Sequence, residues 1–422
     1  MTDNANSFGL LRLPVSVAFG PGSRFSIPQT VASLGNRVLV VCDPFLSSTE
    51  AFTQLVKELE ALELAVTVDT HVVPELPVTV VEEAIARAVQ TDPQVIIGFG
   101  GGSALDLAKL IALGIAHGTP LNRFYGENQV PGPVIPLVAV PTTSGTGSEV
   151  TPVAVLADPD RELKVGISSP YLIPKAAVVD PHLMLGAPPA VTASAGADAL
   201  VHAIEAYTSH NHAPQWGGQL PVFVGENLLS SSLALESIRL IGLSLRSAFQ
   251  DGQDFEARSR MAYASLLAGM AFGTAGTHLS HAIQYPVGAL THTPHGLGTG
   301  MLLPYVMQAL LATDAQRLAN VAAALGVAAG TTEDSAQNAI DEVAAIMADI
   351  GLPTDLAAIG VTESDIPRIV ELSLSVRRLV TNSVIEPTEE NINRIVRAAF
   401  NGDRTEHHPL TTAASNESEK TK

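Results

Sequence analysis

Cysteine is almost absent: Cys42 stands alone among 422 residues, so no disulfide can form within the chain. It ends the apolar run Val38-Leu-Val-Val-Cys42, the setting of a buried structural thiol rather than a reactive one. Basic residues are scarce, with 23 Lys and Arg against 42 Asp and Glu and a formal net charge of −19. Nucleic-acid binding needs a basic footprint, so this balance argues against that class of partner and mainly predicts solubility. An unbroken membrane-spanning run is missing too. The most apolar stretch, residues 95–116, is interrupted by glycines, Asp106 and Lys109. The opening Met1-Thr-Asp-Asn-Ala-Asn-Ser7 has neither the basic patch nor the apolar run of a signal peptide. These absences predict a cytoplasmic protein without a membrane partner. Apolar residues make up 46% and charged residues 15%, enough at this length to pack two substantial cores.

Residues 1–10 read as a frayed arm. Arg37-Val-Leu-Val-Val-Cys42-Asp43 is β-branched and apolar, as a strand buried on both faces must be. Helical spacing follows at 48–60, strand character at 65–73, helix at 80–89, strand at 94–98 and helix at 103–116. Further strands fall at 134–140, 153–157 and 176–179. Strands alternating with helices predict a parallel sheet covered on both faces. From about Pro188 the pattern changes to Ala/Leu segments of helical period, at 190–209, 230–250, 257–275, 297–312, 314–326, 333–350, 365–374 and 388–400. The expected organisation is an α/β domain over 1–187, an all-helical domain over 188–402 and a disordered tail over 403–422. Leu185-Gly-Ala-Pro-Pro189 has the punctuation of a domain junction.

Two loops follow predicted strands and carry chemistry. Gly98-Phe-Gly-Gly-Gly-Ser103-Ala-Leu-Asp106-Leu-Ala-Lys109 joins a strand to a helix. Glycines let backbone approach a phosphate, and free amides at a helix start attract an anion. The spacing is not Gly-x-Gly-x-x-Gly, and a plain tight turn would use the same residues. Pro141-Thr-Thr-Ser-Gly-Thr-Gly-Ser-Glu149-Val-Thr151 offers hydroxyls and flexible backbone at a strand's C-terminal end. Those suit a ribose, adenine or pyrophosphate, although a connecting loop could look alike. Asp43, ending the second strand, is placed to accept bonds from ribose hydroxyls and to repel a 2′-phosphate, favouring NAD over NADP. An Asp before a Pro also forms turns.

A third pattern points to a metal. Asp198-Ala-Leu-Val-His202 puts a carboxylate and an imidazole four residues apart, on one helix face. His281 and His295 come later and flank a loop rich in Pro, Gly and Thr. Three neutral imidazoles and a carboxylate suit a divalent transition metal. An Asp-x-x-x-His pair alone is more often a surface salt bridge than a ligand pair, and His278 and His292 compete as ligands. His182, His210, His212, His407 and His408 read as ordinary loop or tail residues.

Taken in order, Gly100-Gly-Gly-Ser-x-x-Asp106-x-x-Lys109, the Pro141–Thr151 loop, Asp198-Ala-Leu-x-His202 and His281 with Pro294-His295-Gly296 resemble the iron-dependent (group III) alcohol dehydrogenases over residues 10–400. The resemblance implies a dehydroquinate synthase-like fold, with a dinucleotide-binding α/β domain, a helical metal-binding domain and the active site between them. It implies Asp198, His202, His281 and His295 as ligands of Fe²⁺, a set that also accepts Zn²⁺. It implies Asp43, Gly101, Gly102, Ser103, Asp106, Thr142, Thr143, Val150, Lys164 and Leu183 along NAD, with NADP as the alternative. The implied reaction passes a hydride between an alcohol and the nicotinamide while the metal polarises the substrate oxygen. A homodimer or larger homo-oligomer is implied as well.

Two departures stand out. Many members carry a histidine four residues after the third ligand, where this chain has Tyr285, a poorer proton shuttle at neutral pH. Tyr285-Pro286 and Phe255-Glu-Ala-Arg258-x-x-Met261 resemble the hydroxyacid-oxoacid transhydrogenase branch, which implies a hydroxyacid substrate such as 4-hydroxybutyrate. Glu75, in Val72-Val-Pro-Glu75-Leu-Pro77, replaces an asparagine common near the cofactor, so that loop is not expected to make a contact. A dehydroquinate synthase-like lyase and a non-catalytic cofactor-binding protein are the competing readings. The full ligand set and the scarcity of basic residues to clamp a phosphate argue against them.

Overall fold

In the computed structural model, residues 7–161 and 163–405 are described. From residue 406 on, the predicted tail lies outside them. The strands are β1 (Ser16–Phe19), β2 (Arg37–Cys42), β3 (Ala65–Asp69), β4 (Val95–Gly100), β5 (Gly126–Glu127), β6 (Leu137–Pro141), β7 (Val153–Asp158), β8 (Leu163–Ser168) and β9 (Ala176–Val179). Six of them form one sheet in the order β1-β9-β6-β4-β2-β3, with every pairing parallel. Alternation along β2 shows why its run is apolar throughout. Leu39 and Val41 face the cluster holding α4 (Val78–Val89) and α5 (Gly102–His117). Val38, Val40 and Cys42 face the opposite cluster, with α1 (Ile27–Ala32) and α3 (Glu50–Ala61). Between β2 and α3, the short α2 (Pro44–Ser47) starts at Asp43.

The parallel α/β architecture expected for this half is present, with one revision. β7 and β8 pair antiparallel from Val153↔Ser168 to Asp158↔Leu163, and β5 joins β8, so this three-stranded sheet stands apart from the main one. Burial along β7 alternates residue by residue, as in a strand with one open face. The segment was expected to continue the main parallel alternation. β1, only four residues long, went unanticipated.

The second half is helical: α6 (Pro189–Thr208), α7 (Leu228–Gln250), α8 (Phe255–Ala275), α9 (Leu279–Thr291), α10 (His295–Leu325), α11 (Thr332–Asp349), α12 (Ile366–Ser375), α13 (Arg377–Val380) and α14 (Glu389–Asn401). α6 runs through the middle, and its Ala197, Ala199, Leu200, Ala203 and Ile204 are fully buried in one core with α7, α8 and α10. α7 and α10 have the length and hydropathy of a membrane span, yet both pack apolar side chains into this core. The two helices expected at 297–312 and 314–326 are both present within α10, separated by a kink at the non-helical Asp314 (φ −146°, ψ 43°). α9 was missed because Pro286 lies inside it and removes one helical donor. His281 therefore sits on a helix, and only residues 292–294 separate that helix from α10.

The arm is not frayed where it is described. The Phe8 carbonyl accepts from Leu228 N (2.9 Å), Leu10 N donates to Asn227 Oδ1 (3.1 Å), and Arg12 Nη1 donates to the Val222 carbonyl (2.7 Å). These bonds tie the N-terminal segment to the helical half.

Candidate metal centre and dinucleotide cleft

Between β4 and α5 the chain turns at Gly100 (φ +154°), and α5 begins at Gly102 beside a cavity of about 520 Å³, at the helix end whose first amides have no acceptor within the helix. Asp43, Gly101, Gly102, Ser103, Thr142, Thr143 and Leu183 line it. Asp43 serves both readings of it: Oδ1 accepts from Leu46 N (2.9 Å) and caps α2, while the side chain borders the cavity. His182, read as an ordinary loop residue, also borders it, its ring tilted against Phe255 with centroids 4.6 Å apart.

A second cavity, of about 460 Å³, shares Gly101, Gly102, Ser103 and Thr143 with the first and continues to Asp198, His202, His281, His295 and Tyr285. Asp106 and Lys164 open onto this second cavity rather than the first. Asp106 is engaged at both oxygens, by Ser148 Oγ (2.6 Å) and Val155 N (3.0 Å), so it ties the Thr/Gly loop and β7 to α5. Lys109 is buried and donates to the Thr151 and Val153 carbonyls (2.9 and 2.8 Å). Its motif position is structural. Val150 is fully buried with Ala177, Val179 and Met184 and lines neither cavity with its side chain.

At the far end, the Nε2 atoms of His202, His281 and His295 lie 3.8, 3.9 and 3.8 Å from Asp198 Oδ1. Asp198, His202 and Glu205 fall at i, i+4 and i+7 on α6, so one helix face presents all three. Close approach completes the set. A Cβ on Gly296 would sit 2.1 Å from the Ser194 carbonyl and 2.8 Å from Asp198 Cβ, so only glycine lets the start of α10 bring His295 beside Asp198.

The neighbours set the tautomers. His202 Nδ1 lies 3.1 Å from the Gly145 carbonyl and His281 Nδ1 lies 2.7 Å from Glu205 Oε2. Both acceptors require Nδ1 to carry the proton, which leaves each Nε2 a lone pair facing Asp198. Burial keeps the His202 imidazole below its ordinary range and pushes His295 down to about 3, so both are neutral donors. Burial works against ionised Asp198, but the adjacent His202, His295 and His281 and the Thr299 hydroxyl (3.0 Å) hold it below the usual carboxylate range. His281 Nε2 is buried without a hydrogen-bond partner. An orphaned imidazole lone pair beside a carboxylate and two more imidazoles fits a divalent iron or zinc ion.

Glu205 was missed by sequence reasoning. It is fully buried, accepts from the His278 and Ser280 amides (2.8 and 2.6 Å) and from His281, and so anchors the first turn of α9. Burial would raise its pKa, but His278 and His281 hold it far below the normal range. The competing histidines separate. His278 Nε2 pairs with Thr208 Oγ1 (2.9 Å), away from Asp198, and His292 is an exposed left-handed residue ending α9.

The Thr/Gly loop links the two cavities: Thr142 and Thr143 border the first, and Gly145 orients His202. Gly147 holds this loop against α8, because at φ +60° a Cβ would lie 2.5 Å from the Gly269 Cα. The loop near Glu75 is not idle either. Glu75 Oε2 pairs with Lys164 Nζ at 2.6 Å, and both line the second cavity.

Residues 14–181 match the sequence model described as "Iron-containing alcohol dehydrogenase", and residues 192–400 match "Fe-containing alcohol dehydrogenase family, C-terminal". The chain belongs to the iron-containing alcohol dehydrogenase family. It is 36% identical over 387 residues to long-chain-alcohol dehydrogenase 1 of Geobacillus thermodenitrificans, covering 90% of this chain and 94% of that protein. It is 33% identical to the NAD-dependent methanol dehydrogenase of Bacillus methanolicus, covering 84% of this chain and 90% of that protein. The crystal structure of an alcohol dehydrogenase from Oenococcus oeni superposes with a TM-score of 0.85 at 31% identity, covering 93% of this chain and all of that one. As a family member, the chain is an oxidoreductase of alcohols that uses iron and a nicotinamide dinucleotide.

Proposed function

We propose that Asp198, His202, His281 and His295 are the metal ligands, and that the glycine-lined cavity holds NAD. The observation carrying this reading is the convergence of three Nε2 atoms on Asp198 Oδ1, with His281 Nε2 buried and unpartnered. When bound, the iron supplies a Lewis acid for the substrate oxygen. Everything else falls to side chains and backbone. The amides of Gly102 and Ser103 at the start of α5 hold the pyrophosphate, and Thr142 and Thr143 hydrogen-bond the dinucleotide. Asp43 Oδ2 accepts from the adenosine ribose, which supports NAD over NADP. Asp106 and Lys164 flank the nicotinamide end and Leu183 the adenosine end, while Val150 acts only through packing. Tyr285 is buried, which raises its phenol above the ordinary value, so at neutral pH it donates a hydrogen bond and does not remove a proton.

On this reading residues 1–187 deliver the dinucleotide and 188–402 the metal. The net charge supports a cytoplasmic setting without membrane or nucleic-acid partners. Val15 and Phe25, exposed near the free edge of β1, support a homo-oligomer, which light scattering on the purified protein tests. The central test is His281→Ala. It is expected to abolish NADH formation from alcohols and to lower bound iron per chain, with circular dichroism unchanged. Full activity in that variant would sink the assignment. Net NADH accumulation also separates this reading from a lyase, which regenerates its NAD in each turnover.

A further inference from the structure

The metal-centre cavity contains two cations, and only one has an anion. Lys164 is neutralised by Glu75 at 2.6 Å. Arg378, half-buried on α13, has no carboxylate partner among the described residues. Its guanidinium carbon lies 4.8 Å from the centroid of the Phe223 ring, and its charge acts on the Tyr285 phenol. The position is built. Asn382, just past α13, donates from Nδ2 to the Ala275 and Thr277 carbonyls (3.0 and 3.1 Å), fixing α13 against the turn between α8 and α9. Phe223 is held in turn by its neighbour, Val224 N bonding the Thr274 carbonyl at 2.9 Å. Stacking covers one face of the guanidinium plane and one edge donor reaches the Tyr285 hydroxyl, which leaves the remaining edge donors for a ligand.

Tyr285 follows His281 by four residues, about 6 Å along α9, and its ring centroid is 6.2 Å from that of His295. Arg378 lines the same cavity as these histidines and sits beside Tyr285, so a short substrate held at the histidines can extend toward it. We propose that Arg378 binds an anionic group, a carboxylate or sulfonate, at the end of the substrate opposite its reacting hydroxyl, so that a short hydroxy acid is preferred over a neutral alcohol of equal length. This rests on the alcohol dehydrogenase reading of the same cavity. The reaction is balanced by the established cofactor: the hydroxy acid and NAD⁺ give the aldehyde acid, NADH and a proton. The hydride leaves the carbinol carbon, and the anionic end is unchanged.

The test compares the iron-loaded protein on 4-hydroxybutanoate and 3-hydroxypropanesulfonate with 1-butanol and 1,4-butanediol, following NADH. The expected kcat/KM is about tenfold or more higher for at least one anion than for its neutral counterpart. Arg378→Met should remove that advantage, mostly through KM, and leave the neutral alcohols within about threefold. Arg378→Lys should restore part of it, which a merely structural arginine would not do. A readout without turnover is calorimetric binding of butanoate and propanesulfonate, expected with wild type and lost in Arg378→Met. Carboxylate-only or sulfonate-only discrimination identifies which anion the site takes. If neutral alcohols are oxidised as well as both anions, or Arg378→Met affects all substrates alike, the proposal falls and the dehydrogenase reading stands. If no alcohol and no hydroxy acid yields NADH, that underlying reading falls, and the proposal with it.

Discussion

The dinucleotide cleft and the metal centre are adjoining cavities built from different materials. The cleft is mostly backbone: Gly100 turns, the start of α5 lines it, and the Thr/Gly loop closes one side. The candidate metal centre is side chain throughout: α6 carries Asp198 and His202, α9 carries His281 and α10 carries His295, and the Gly145 carbonyl and Glu205 fix which nitrogen of His202 and His281 faces Asp198. A backbone site tolerates many side chains but no Cβ at its contact points. A side-chain site tolerates changes nearby but depends on buried partners that never touch the ligand. The two should therefore fail differently when altered.

The largest expected difference comes at Glu205, which touches His281 and two amides but lies behind the four proposed ligands. Glu205→Gln keeps an acceptor yet loses the charge that favours the Nε2 lone pair of His281. It is expected to weaken iron binding about 10- to 100-fold, with turnover largely recovered at saturating iron. Equilibrium iron titration beside steady-state kinetics checks this. Iron affinity equal to wild type would mean that Glu205 anchors α9 and nothing more.

In the backbone-built cleft, Asp43 is the side chain to vary. Asp43→Ser keeps an oxygen to cap α2 but removes the carboxylate that borders the cleft and is proposed to meet the ribose. The expected result is about a tenfold narrowing of the NAD preference over NADP, read as the ratio of kcat/KM values, with iron content unchanged. An unchanged ratio would leave Asp43 as a cap alone.

The same contrast explains what was legible from sequence. The glycine loop, the Thr/Gly loop and Asp43 announce themselves because backbone chemistry needs special residues in consecutive positions. Asp198 and His202 were legible because helical spacing puts them on one face. Glu205 extends that spacing to i+7, so a Glu seven residues after Asp198 was an available signal. Arg378 carried none: α13 is a four-residue helix whose placement rests on Asn382 bonding the turn more than 100 residues earlier. α9 was hidden by Pro286, a breaker by propensity that the packed core overrides. In the α/β half, the antiparallel pairing of β7 with β8 was concealed because a strand's sequence does not state its partner's direction.

The smallest expected effect separates the two regions at Tyr285, which lies in the second cavity four residues past His281. Burial raises its phenol above the ordinary value of 10.0, although Arg378 opposes the rise. The protonated form therefore persists across the working pH range. Tyr285→Phe loses one hydrogen bond, a few-fold in kcat/KM and at most about tenfold. The pH profile between 6 and 9 should keep its shape, because a group that does not titrate there contributes no limb to it. The stability sign follows from the same shift. Above about pH 10 the unfolded phenol loses its proton while the buried one keeps it, so this tyrosine lowers stability as pH rises through that range. The Phe variant should lack that component in urea unfolding at pH 10 to 11. A lost acidic or basic limb in the rate profile would instead make Tyr285 a proton carrier, the role its buried phenol is expected not to fill.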